Sequence, residues 1–132
     1  MQQLAPFPDA EKVVMTLLAG VAPTVVTSFP AQISGAAVRV NRVGGVDDFF
    51  TDYPRIEVVL LYPVTQSGDT DAAWALFGQI VQVVVAARCT TVAGALIDQA
   101  ETFNPPQQLP YENQNIRRIV ATFQLAFRRP RS

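Results

Sequence analysis

The sequence has no histidine, a single cysteine and few charges, and each shortage removes a class of chemistry. Histidine is the commonest general base and transition-metal ligand. Without it a Ser/His/Asp arrangement is excluded, whatever serines and threonines are present. The lone Cys89 rules out an internal disulfide framework and any CxxC metal site. It follows a helix rather than opening one, and it reads as a small buried hydrophobe. Charged residues make up 16% of the chain, against a usual share of about a quarter. Such a chain has little with which to cover a surface, which suits a protein partly buried in an assembly. The formal net charge of −1 supplies no basic field for nucleic acid. No uninterrupted apolar run approaches the roughly 18 residues of a membrane span, so no membrane partner is expected. The opening MQQLAPFPDAEK lacks the basic and apolar regions of a signal peptide, and the expected setting is a cytoplasm or something assembled there. Gly44-Gly45 and Gly68 do not make a phosphate loop, since no GxxxxGK[ST] is present. No enzymatic activity, cofactor or metal is expected.

At 132 residues the chain is expected to form a single domain, 1–132, ending in a basic tail over 127–132. The stretch Tyr53–Arg88 organises it. Arg55–Tyr62 is apolar on both faces, as in a central strand covered on two sides. Gly68 breaks the chain, and Asp69 or Thr70 can cap a helix over Asp71–Arg88. That helix is apolar over most of its circumference. Trp74, Phe77 and Val81 lie on one face, with Leu76, Ile80 and Val83 beside it. Its extra cover is either the other helix or another subunit.

Around this stretch the remaining elements follow from periodicity. Pro8 suits a first helical position, Asp9 and Glu11 complement the helix dipole, and Val13, Val14, Leu17, Leu18 and Val21 make an apolar stripe, giving a helix over Asp9–Ala19. A short edge strand is suggested at Thr24–Thr27. Ala36–Val43 alternates, with Val38 and Val40 inward, and Gly44-Gly45 is expected to end it. Thr90–Gly94 reads as a turn or linker, Leu96–Phe103 as a polar edge strand, and the proline-rich Asn104–Asn113 as a long loop. Arg118–Arg128 is the cleanest strand, with Ile119, Ala121, Phe123, Leu125 and Phe127 on one side. Its length of roughly 36 Å at about 3.3 Å per residue is long for so small a domain. The expected fold class is α+β: a mostly antiparallel four-stranded sheet with two helices packed on one face.

Two segments stand out as candidate subunit or partner contacts. VDDFFTD sets Asp47, Asp48 and Asp52 around Phe49 and Phe50. The acids lack the spacing of an EF-hand and read as a solvated loop. Two adjacent aromatics cannot both face one core in extended chain, so either one ring meets a partner or the loop folds both under the sheet. The second segment is the basic end, with Arg128, Arg129 and Arg131, which is open to phosphate contact, to docking on a neighbour, or to plain solvation.

The order of elements and several phrases resemble the tail terminator, or tail-completion, proteins of long-tailed bacteriophages, in particular those of phages infecting actinobacteria. The phrases are FPDAEKVVMTLLAG, DYPRIEVVLLYP, the helix at Asp71–Arg88, NPPQQLPYENQNIRR and IVATFQLAFRR. Together they span nearly the whole chain, and they rest on order and flavour rather than on a catalytic signature. The resemblance implies a structural virion protein that forms a homo-oligomeric, hexameric ring at the head-proximal end of the tail. Such a ring is assembled in the host cytoplasm, caps the tail tube, ends its polymerisation and meets the head-tail connector. DNA passes through its lumen without specific binding. Other neck proteins of the same virions, portal adaptors or stoppers, share much of this pattern.

Overall fold

The structure, a computed structural model, describes residues 6–129. Its elements run α1 (Ala10–Leu18), β1 (Thr24–Val26), β2 (Ala37–Asp47), β3 (Thr51–Pro63), α2 (Asp69–Ala86), β4 (Thr90–Val92), β5 (Ala95–Leu109) and β6 (Ile116–Arg128). The strands form one sheet in the order β1-β2-β3-β6-β5-β4. All neighbours are antiparallel except β1 and β2, which are parallel. This six-stranded mixed sheet, curled into a half-barrel, replaces the expected four-stranded, mostly antiparallel one. The two additional strands, β1 and β4, are three residues each, too short for a period of two to register. In the sequence their places show only a possible edge strand and a turn or linker.

The centre of the sheet is the pair β3 and β6, which run antiparallel from Thr51↔Arg128 to Pro63↔Ile116. Ile56, Val58 and Leu60 of β3 meet Ile119, Phe123 and Phe127 of β6 in the main core. Val14 and Leu18 of α1 and Phe77, Ile80 and Val84 of α2 close that core from the helical side. On the opposite face Val59, Leu61 and Val120 form a smaller cluster under Phe29, Ile33, Leu109, Tyr111 and Ile116. Double burial is what the unbroken apolar run of β3 requires.

Several boundaries differ from the pattern in the sequence, each for a local reason. β2 runs on through Gly44-Gly45 to Asp47, because a bulge between Arg42 and Gly44 absorbs one residue and keeps the ladder going. β5 continues to Leu109 through Pro105 and Pro106. The ladder skips between Asn104 and Gln107, and a bulge on a strand with an open edge tolerates missing N–H groups. A further bulge at Asp98 puts Ile97 and Ala100 on the same buried side, which breaks the expected alternation. α2 begins two residues early, with Gly68 in a left-handed conformation as its N-cap. Asp69 instead accepts from the Thr65 and Gln66 amides, each at 2.9 Å. In α1 the cap is Asp9, which accepts from Lys12 N at 3.2 Å, so Pro8 precedes the cap rather than opening the helix. Trp74 is exposed and the core face of α2 is Ala73, Phe77, Ile80 and Val84. Cys89 is exposed rather than buried, in a left-handed conformation that starts β4.

Candidate assembly interface at the hairpin tip

The β2–β3 hairpin ends in the pair Asp47↔Asp52, with Asp48, Phe49 and Phe50 making the turn. Asp48 shapes it. One carboxylate oxygen accepts from Phe50 N at 2.8 Å and Thr51 N at 2.7 Å, and Asp48 N donates to Thr51 O at 2.9 Å. An aspartate that bonds the backbone two residues on is the ordinary means of fixing such a turn. The two rings stand edge to face, with centroids 5.0 Å apart and planes at 77°. Phe49 is 59% and Phe50 69% exposed, so neither folds under the sheet. Val46 and Val43 extend the apolar surface down the hairpin.

The foot of the hairpin is clasped by charge. Arg42 Nη1 and Nη2 donate to the two oxygens of Asp52 at 2.7 and 2.8 Å. Asp52 is 2% exposed, so it is not part of a solvated acidic loop. The hydrogen bond to Asp52, reinforced by the charges of Asp52 and Asp47, holds the Arg42 pKa above its ordinary value against the opposing effect of burial. Arg42 N donates to Glu11 Oε2 at 2.8 Å, which ties the strand to the first turn of α1. Next to this clasp Gly45 has φ +109, and a Cβ there would strike the Tyr53 carbonyl oxygen and lie 2.8 Å from Pro54 Cα. Only glycine allows the two strands to come this close. Pro54 has no N–H to give the ladder, and where the β3–β6 pairing lapses Gln124 Nε2 donates to the Tyr53 and Pro54 carbonyls, each at 3.1 Å, and to Leu125 O at 3.2 Å.

The basic end meets the tip. Arg129 N donates to Phe50 O at 2.8 Å and Arg129 Nε to Phe49 O at 3.0 Å. Its guanidinium lies 4.1 Å from the Phe7 ring centroid and 5.8 Å from that of Phe49, a cation–π arrangement. Arg128 turns the other way, to Asp98 on β5, at 3.1 and 3.2 Å. The structure thus brings Asp48, Phe49, Phe50 and Arg129 together. It assigns Asp52 to the foot and Arg128 to a separate ion pair; Arg131 lies outside the described residues. Among the described residues no group of three acids or cysteines is placed to hold a metal ion.

The sequence pattern does not single out Arg42, Glu11, Phe7 or Gln124 as part of this site. One signal was available for the clasp. Arg42 shares the parity of inward Val38 and Val40, and Asp52 that of Ile56 and Val58. A charge on a core-facing position calls for a buried partner of opposite sign.

A family model described as phage tail termination protein matches residues 6–132. No curated protein matches the sequence. Among solved structures, the chain is similar to a chain of one titled "Virion of native gene transfer agent (GTA) particle". The identity is 12% and the TM-score 0.59, over 90% of this chain and 87% of that one, a likeness of fold.

Proposed function

The chain belongs to the phage tail termination protein family, and from that premise we propose that it forms a hexameric ring at the head-proximal end of the tail. As a family member it is a structural component of the virion tail. The ring caps the tail tube, stops its polymerisation and presents a surface to the head connector, while DNA passes through without specific binding. The observation that carries this reading is the hairpin tip. Phe49 and Phe50 project from a turn that Asp48 and Arg129 hold in place, and among the described residues both rings stay largely exposed. Exposed apolar anchors with a polar surround are the anatomy of a protein contact.

The reading is tested by polymerising purified tube subunits with and without the protein and measuring tube lengths by electron microscopy. Capping predicts tubes of limited length whose ends carry six copies, counted by native mass spectrometry. Tubes that grow without limit in its presence sink the terminator reading. Twelve copies bound to a head connector identify a portal adaptor instead.

A further inference from the structure

The β2–β3 hairpin beyond Arg42 has almost no share in the interior. No residue from Asn41 to Arg55 belongs to either hydrophobic cluster, and Val43, Val46, Phe49 and Phe50 are all exposed. A segment with few buried apolar contacts is one that opens locally while the rest of the fold stays closed.

The sheet is also weakest where this arm leaves it. On one side β2 bulges between Arg42 and Gly44, next to Gly45 at φ +109. On the other the β3–β6 pairing lapses between Asp52↔Phe127 and Arg55↔Gln124, at a proline with no N–H. A hollow of about 360 Å³, lined by Gly45, Val46, Tyr53, Arg55 and Gln124, leaves room beside this joint. Two side chains tie it. Gln124 donates to the Tyr53 and Pro54 carbonyls. Arg42, on the body side of the bulge, holds Asp52, on the arm side of the lapse. Past the joint the arm rejoins the end of β6, through Thr51↔Arg128 and the bonds from Arg129 to the Phe49 and Phe50 carbonyls.

We propose that the hairpin is a hinged arm, pivoting at Gly44–Gly45 and Tyr53–Pro54 and latched to the end of β6 by Arg129. Hinges are a few residues that absorb the change in backbone angles, and the bulge, the glycines and the lapsed pairing put such residues on both strands at once. Released, the arm carries Phe49 and Phe50 away from the sheet while the core between the sheet and the helices stays packed. That use of the motion rests on the reading of the tip as an assembly contact.

Amide exchange tests the motion itself. A two-stranded hairpin detached from its sheet is only marginally stable, so exchange over residues 48–51 reports how often the arm is open. Gln124 bonds none of these residues, yet Gln124→Ala loosens the joint and should speed their exchange about fivefold, with residues 57–61 unchanged. Acceleration confined to residues 53–55 would mean a tip that frays by itself, and would overturn the hinge. The second arm of the experiment locks the latch. Opposed residues of an antiparallel pair lie about 4.5–5.5 Å apart at Cα, within the span of a disulfide. Thr51→Cys with Arg128→Cys is therefore made in a chain carrying Cys89→Ser, because Cys89 is exposed. Oxidation should slow exchange over residues 48–51 and abolish tube capping, and reduction should restore both. If the oxidised form caps as well as the Cys89→Ser chain, the arm docks closed and the proposal falls. If the Cys89→Ser chain itself does not cap, the terminator reading fails instead, and exchange still decides the hinge. The Gln124→Ala arm needs neither new cysteine, so it stands should the double variant not fold.

Discussion

Arg42 and Asp52 form a two-pronged ion pair in which the partners are unequally buried: the Arg42 side chain is 37% exposed and that of Asp52 only 3%. The inequality predicts an asymmetric response to mutation. Arg42→Ala strands a buried carboxylate, and stranding a buried charge costs about 3–5 kcal/mol in full burial. Solvent near the half-open arginine lowers that to about 2–3 kcal/mol. Asp52→Ala leaves a guanidinium that water can reach, so its cost should be smaller. Urea denaturation of both single variants and the double checks this. The double should lose clearly less than the sum of the two singles.

Phe77 and Trp74 lie one turn apart on α2 but differ in burial, 0% against 38% exposed. Phe77→Ala should cost about 3–5 kcal/mol, a large part of the roughly 5–15 kcal/mol that holds a domain together. Trp74→Ala should cost no more than about 1 kcal/mol, close to the range of surface substitutions. Melting temperatures compared side by side decide it, and equal losses would refute the assignment of the core face.

Gly44 and Gly45 are adjacent but not equivalent. No atom lies within 4 Å of where a Cβ on Gly44 would stand, whereas one on Gly45 runs into the backbone of Tyr53 and Pro54 at φ +109. Gly45→Ala should destabilise the protein by at least the roughly 1–3 kcal/mol of a strained backbone position, and Gly44→Ala by much less. Thermal unfolding of the two variants gives the comparison.

What could be read from the sequence was what depends on neighbours along the chain. Ile119 to Phe127 alternate cleanly and gave β6, and Val13, Val14 and Leu18 recur at helical spacing and gave α1. Pro105 and Pro106 hid the second half of β5, because their effect depends on whether a bulge and an open edge receive them. Thr24–Val26 and Thr90–Val92 are strands only because β2 and β5 lie beside them. The candidate interface divides in the same way. Phe49, Phe50 and the acids around them were visible as a local oddity. That Asp52 answers Arg42 and that Arg129 answers the tip are tertiary facts: Arg129 is eighty residues from Phe49.

Arg129 gives the last prediction. Its side chain bonds Phe49 O and stacks near Phe7, while its backbone N–H bonds Phe50 O. Arg129→Ala removes the first two and keeps the third. The exposed bond to Phe49 O and the exposed cation–π contacts with Phe7 and Phe49 are worth at least about 1 kcal/mol together. That difference, spent locally, corresponds to amide exchange about fivefold faster over residues 48–51, with little change in global unfolding. Ending the chain at Arg128 also deletes the backbone bond, so exchange at the tip should rise further while the buried strands β3 and β6 stay protected. Arg128→Ala is the control: it breaks the pair with Asp98 and should leave the tip unchanged. Were the control to loosen residues 48–51 as much as Arg129→Ala does, the brace would belong to the end of β6 as a whole and not to Arg129.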